Sequence, residues 1–262
     1  MTAKWLLSGV SDEENLRRVL DDAEVVLLDF DGPVCDLFGR TPTAHIADEI
    51  KVVARNEWGA LDRDVEDCDD SHGILHHLRN MLDGDAPVSR GRAPLVQANT
   101  ILTRHEHAAV RSAVAAPYVD ALLNVLHDLG KRLAIVSNNA EEPIRSYLEG
   151  KGLRSRFAAV CGRDPHEPRH MKPHPDVVHR ALADLGCPEP SRALLVGDQL
   201  TDLRAARAAG VAFIGYTQDG KRRLRMAHEG AAAVVSSHTQ LTGAARQLLD
   251  TCSDRSVHTE PK

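Results

Sequence analysis

The chain has 262 residues, enough to bury a sizeable core either as one large domain or as a core with a smaller appendage. Its 32 Lys and Arg against 38 Asp and Glu leave a net charge of −6, which supplies no positive field for nucleic acid or an anionic membrane and argues against both partners. Cys35, Cys68, Cys161, Cys187 and Cys252 lie far apart, form no C-x-x-C pair and are odd in number, so neither a disulfide framework nor a zinc site is expected. Free thiols, a brief apolar stretch near the start and no later run able to span a bilayer predict a soluble, cytoplasmic protein.

In chain order, Glu24 to Phe30 reads as the first buried strand. From Val34 to about Val114 no convincing strand follows. Helical spacing recurs there instead: Ile46, Ile50, Val53, then Ile74, Leu75, Leu78, Leu82, then Leu95, Leu102, Ala109, with the stretch GDAPVSRGRAP as a loop between two helices. Val119 to Leu129 reads as an amphipathic helix, Arg132 to Val136 and Phe157 to Cys161 as strands, Asp176 to Leu185 as a second such helix, and Ala193 to Val196 as a strand. Two further strands, Val211 to Tyr216 and Ala231 to Val235, each follow a helix-compatible segment with a glycine near its end, Gly210 and Gly230. This alternation predicts a parallel sheet with helices on both faces, interrupted by one all-helical insertion.

Four segments carry chemistry. In VVLLDFDG a hydrophobic strand runs into Asp29 and Asp31, two residues apart and facing one side if the strand geometry continues, with Gly32 allowing the turn that follows. Two close carboxylates repel unless a cation or a shared proton compensates, so the pair predicts a divalent metal, although a strand ending in polar turn residues gives the same letters. In RLAIVSNNAEEPI, Ser137 and Asn138 lie just before a helix, where a hydroxyl and backbone N–H groups suit a phosphate oxygen. An ordinary helix N-cap is the competing account. In HMKPHPDVVHRAL, Lys172 beside a proline offers a point charge for a phosphoryl group. In ALLVGDQLTDLRAARAAG a strand ends at Asp198 and the next helix carries Asp202, four residues on, where acidic helix caps are again the rival reading. All four lie at the carboxyl ends of expected parallel strands or in the loops after them, where open α/β sheets assemble their sites. Together Asp29, Asp31 and Asp198 offer oxygen ligands to a hard cation, and Ser137 and Lys172 a phosphoryl pocket.

In this order the four segments resemble the motifs of the haloacid dehalogenase-like hydrolase superfamily: DFDG, the hydrophobic-Ser motif in IVSN, the lysine of KPHP, and GDQLTD. The resemblance implies a Rossmann-like doubly wound α/β core over residues 1–33 and 115–250, a helical C1-type cap over 34–114, as in the phosphoglycolate phosphatase and β-phosphoglucomutase branch, and a flexible tail over 251–262. It implies Asp29 as nucleophile, Asp31 as general acid and base, and Ser137, Asn138 and Lys172 on the phosphoryl group. Mg²⁺ would be held by Asp29, the main-chain carbonyl of Asp31, Asp198 and Asp202, the last directly or through water. The second aspartate, Asp31, separates phosphate-ester chemistry from carbon–halogen and phosphonate chemistry in related branches. Pro33 stands where the family usually has Thr or a similar residue, which stiffens the loop and removes a hydrogen bond.

The expected function is therefore hydrolysis of a small phosphorylated metabolite by a Mg²⁺-dependent phosphatase, with a sugar phosphomutase or a non-catalytic regulatory protein of the same fold as alternatives. Arg40 is a candidate substrate contact. His45, His72, His76, His77, His105 and His107 are read as solvated helix residues, and so is the group His166, His170 and His174, although its closeness to Lys172 brings one of them within reach of a substrate.

Overall fold

A computed structural model describes residues 12–39, 42–84 and 90–257. Helix α1 (Asp12–Asp22) leads into β1 (Val25–Leu28), followed by a short β2 (Cys35–Asp36). Four helices come next: α2 (Ala44–Trp58), α3 (Arg63–Glu66), α4 (Gly73–Asp83) and α5 (Ala93–Val110). The chain then alternates through β3 (Val114–Ala115), α6 (Val119–Asp128), β4 (Arg132–Val136), α7 (Glu141–Gly150), β5 (Ala159–Cys161) and α8 (Asp176–Asp184). It closes with β6 (Ala193–Gly197), α9 (Leu200–Ala208), β7 (Ala212–Tyr216), α10 (Gly220–Glu229), β8 (Ala233–Val235) and α11 (His238–Val257). Among the described residues no helix is long and apolar enough to cross a membrane.

Six strands form one parallel sheet in the order β5-β4-β1-β6-β7-β8, the expected Rossmann-like α/β core. Strand β1 is central, with Val25 opposite both Arg132 of β4 and Ala193 of β6. All four β1 side chains are fully buried, because alternate residues serve opposite faces. Val26 and Leu28 join a cluster with Leu122, Leu126 and Leu241, while Val25 and Leu27 join one with Val178, Leu195 and Leu203. That double burial explains the unbroken apolar run in the sequence.

Chain order reverses at β1, since β4 lies on one side of it and β6 on the other. Such a switch point opens a crevice at the carboxyl ends of the strands, and Asp29 follows β1 at that crevice. The expected strand from Glu24 to Phe30 is shortened to Val25–Leu28, but pairing persists one residue further, where the Asp29 N–H donates to the Val196 carbonyl at 2.9 Å.

Helices α2 to α5 bury their own cluster, including Ile46, Ile50, Ile74, Leu75, Leu78, Leu95 and Leu102, as their helical spacing requires. The interval is not wholly helical at its edges: β2 and β3 pair antiparallel, Cys35 opposite Ala115. Two strands of two residues carry too little periodicity to be read from sequence. At the other end α11 continues to Val257, so the tail expected over 251–262 is helical over its first part, because α11 has not yet been capped at residue 250.

Leu27 is fully buried at the centre of the sheet, so Leu27→Ala removes methylenes that no neighbour can replace. It should lower unfolding free energy in urea by about 2–5 kcal/mol, with the slope unchanged.

Candidate active site

Lys172 is the charge at the middle of the site. Its side chain is almost fully buried, and its ammonium lies 2.8 Å from Asp29 Oδ1 and 2.6 Å from Asp202 Oδ1, and donates to the Val136 carbonyl at 3.2 Å. Burial opposes that charge, but Asp202 and Asp29 outweigh it and hold the ammonium above its usual range. The backbone around Lys172 is fixed by Asn138, whose Oδ1 accepts the Lys172 N–H at 2.7 Å and whose Nδ2 donates to the Lys172 carbonyl at 3.2 Å. Helix α8 begins after Pro175, as expected from the proline-rich segment.

Asp29 Oδ1 also accepts the Phe30 N–H at 2.7 Å, leaving Oδ2 for a ligand. Oxygens of Asp29, Asp198 and Asp202 lie within 4.8 Å of one another. Burial, followed by repulsion from Asp202, pushes the Asp29 carboxyl up to about 7, and the same two causes push Asp198 up to about 8. Three crowded carboxylates beside Lys172 offer oxygen donors of the kind a hard divalent cation takes, so the residues fit Mg²⁺.

The roles within that set differ. Asp202 Oδ2 accepts the Gln199 N–H at 2.9 Å as part of a capping box at the start of α9, and its Oδ1 serves Lys172. The acidic-cap reading is thus correct for Asp202, whose other oxygen lies against the Lys172 ammonium. The Asp31 carboxylate is outside the three-oxygen group, and its Oδ1 accepts the Leu37 N–H at 2.9 Å. Burial is the main cause that raises Asp31 above the ordinary carboxylate range.

Close approach makes two glycines necessary. A Cβ on Gly32, whose φ is +101°, would meet Asp198 Cγ at 2.8 Å, and one on Gly197 would meet Asp202 Cβ at 2.5 Å. Pro33 contributes through its carbonyl, which accepts a hydrogen bond of 2.6 Å from Nε2 of the buried His238, itself stacked on Tyr216.

Ser137 does not cap a helix. The N-cap of α7 is Ala140, and the Ser137 hydroxyl donates to Asn139 Oδ1 at 2.9 Å. Asp29, Asp31, Ser137, Asn138, Lys172, Asp198 and Asp202 all line one cavity of about 770 Å³. Arg40 lies outside the described residues.

Several residues were missed by the sequence reading or given another place by it. Arg222 near the start of α10 donates to the Asp198 carbonyl at 3.1 Å and to its carboxylate at 3.3 Å. His72, the N-cap of α4, and His76 in its first turns, both expected to be solvated, line the cavity from the helical insertion. His166, His170 and His174 are not among the lining residues, and His170 pairs with Asp164 at 3.3 Å. Glu106 of α5 and Arg163 after β5 form a buried ion pair at 2.5 Å. A charge inside a helical pattern gives no signal of such a distant partner.

The sequence model of the haloacid dehalogenase-like hydrolases matches residues 75–216, more than half of the chain. That stretch holds Ser137, Lys172, Asp198 and Asp202 but begins after Asp29 and Asp31. A phosphoglycolate phosphatase from Rhodospirillum rubrum is 39% identical over 121 residues, which are 46% of this chain and 48% of that protein. The chain thus matches about half the length of such a relative. A haloacid dehalogenase-like hydrolase from Bacteroides fragilis shares the fold with a TM-score of 0.60 at 22% identity, covering 84% of this chain and 99% of that one. CbbY from Rhodobacter sphaeroides, solved with phosphate, superposes with a TM-score of 0.55 at 21% identity over 82% of this chain and 94% of its own.

Asp29 and Asp198 bind protons more tightly folded than unfolded, so without a cation their contribution to stability falls as pH rises from 3.8 through about 7 and 8. A cation must displace those protons and therefore binds better as pH rises. The increase in melting temperature caused by Mg²⁺ should grow between about pH 6 and pH 8.5. An increment that stays constant across that range would contradict this charge assignment.

Proposed function

The chain belongs to the haloacid dehalogenase-like hydrolases, and from that premise we propose that it is a Mg²⁺-dependent phosphatase acting on a small phosphorylated metabolite. The observation that carries this reading is the Asp29 carboxylate, held on one oxygen by Lys172 and Phe30 in a cavity that Asp31, Ser137 and Asn138 also line. Relatives named phosphoglycolate phosphatase make phosphoglycolate the first substrate to try.

In this mechanism Asp29 Oδ2 attacks phosphorus in line, the P–O bond to the leaving group breaks, and Asp31 gives that oxygen its proton. Burial keeps Asp31 more readily protonated than an exposed carboxylate, which suits a general acid. Water then attacks the aspartyl phosphate and gives its proton to Asp31, so that phosphate leaves and Asp29 is regenerated. Lys172 and the Ser137 hydroxyl stabilise charge on the equatorial oxygens. Mg²⁺, when held by Asp29, Asp198 and the main chain of Asp31, supplies charge neutralisation, with Asp202 orienting Lys172 and the α9 turn.

Helices α2 to α5, within residues 34–114, serve as a cap that excludes bulk water, a role supported by their separate apolar cluster and by His72 and His76 in the cavity wall. A cavity of about 770 Å³ suits a metabolite rather than a phosphoprotein. Net charge −6 disfavours nucleic acid, and the free thiols of Cys35, Cys161 and Cys187 suit a reducing cytoplasm.

Purified protein with Mg²⁺ should release phosphate from phosphoglycolate or another small ester in a panel, and Asp29→Asn should abolish that release. Asp31→Asn should lower kcat by about 10²–10⁴-fold. Full activity in the Asp29 variant would refute the mechanism, and conversion of a hexose 1-phosphate to the 6-phosphate would point to a mutase instead.

A further inference from the structure

Glu106 is fully buried near the carboxyl end of α5, yet its carboxylate reaches out of the helical insertion to the loop that follows β4. Oε1 accepts from Asn139 Nδ2 at 3.1 Å and from Arg163 at 2.5 Å, and Oε2 accepts the Ala140 N–H at 3.1 Å. His72, in the cavity wall, places its Nε2 3.4 Å from Oε1. Burial works against the Glu106 charge, but Arg163 and then His72 outweigh it and hold the carboxyl below its usual range.

These contacts determine how Ser137 is held. A carboxylate only accepts, so Asn139 must turn its Nδ2 toward Glu106 and its Oδ1 toward Ser137. Oδ1 then receives the Ser137 hydroxyl at 2.9 Å, while the Asn139 N–H donates back to Ser137 Oγ at 3.1 Å. Oγ is thereby fixed in place, and its proton needs only a rotation about the C–O bond to reach a phosphoryl oxygen.

We infer that Glu106 is a positioning residue for the phosphoryl pocket, orienting Ser137 through Asn139 and the Ala140 N–H. The inference rests on the reading of Ser137 as a phosphoryl contact. No neutral isostere can do the same work: glutamine has one acceptor oxygen, and Asn139, Ala140 and Arg163 supply three donors to two oxygens. In Glu106→Gln the side-chain NH2 must face either the Ala140 N–H or the Asn139 and Arg163 donors, and either choice removes an acceptor from the Ser137 loop.

The test is titration of the full chain with inorganic phosphate by calorimetry in Mg²⁺ buffer. Glu106→Gln should weaken phosphate binding about tenfold to a hundredfold. Asn139→Ala, which leaves the Glu106–Arg163 pair intact and so protects the test against a misfolded Glu106 variant, should weaken it by a similar factor. The double variant should add little, since both act through one path. Thr103→Val removes the hydroxyl that accepts from Arg163 at 2.7 Å without touching the loop, and should lower the melting temperature while leaving phosphate affinity within about twofold. Wild-type affinity in Asn139→Ala or Glu106→Gln overturns the inference, and so does an equal loss in Thr103→Val. Turnover of a phosphate ester by the unmodified protein is scored separately, because a protein that binds phosphate without hydrolysing esters would sink the proposed function and leave this measurement intact.

Discussion

The buried contact of Lys172 with Asp29 and Asp202 is the constraint that organises the site. Asp29 follows β1, Asp202 lies in the first turn of α9 after β6, and Lys172 also donates to the end of β4 through Val136. One ammonium thus joins the carboxyl ends of three adjacent strands. An uncompensated buried charge is costly, so neither acid nor base is tolerable without the others. Burial, and then the excess of carboxylates over cations, pushes Asp29 and Asp198 up, and their oxygens are of the kind a hard metal ion takes. The charge imbalance is a property of the folded crevice, because separated aspartates in an open chain do not repel.

A second buried ion pair, Glu106 with Arg163, does a different task. It joins the helical insertion to the sheet, where the antiparallel β2–β3 pair forms another connection. Side chains of the core alone could hold a metal and a nucleophile. The insertion brings the wall that shapes the rest of the cavity, including His72 and His76, and brings the carboxylate that sets the Asn139 amide. In the proposed phosphatase, catalytic charge and substrate enclosure therefore come from separate parts of the chain, joined at a few buried polar contacts.

The loop after β1 shows how an unusual residue is accommodated. Pro33 has no N–H to donate, but its carbonyl takes a hydrogen bond from His238 at the start of α11. Burial is the main cause that keeps the His238 imidazole below its usual pKa, so it serves as a neutral donor there. A position that looked like a loss from the sequence is tied down from the far end of the chain.

The sequence by itself determined the alternation of strands and helices, because apolar runs and helical periodicity report burial directly, and it marked Asp29, Asp31, Ser137, Lys172, Asp198 and Asp202 because together they lie at expected strand ends or in the segments that follow them. It also suggested the insertion, whose helices have strong periodicity. What only the tertiary structure decided is which groups meet. Glu106 and Arg163 are 57 positions apart, Arg222 and Asp198 belong to different strand-helix units, and His72 lines the cavity. Periodicity predicts the face that a residue occupies within its own element. It carries nothing about the partner on another element, and the pairing of buried charges depends on that partner.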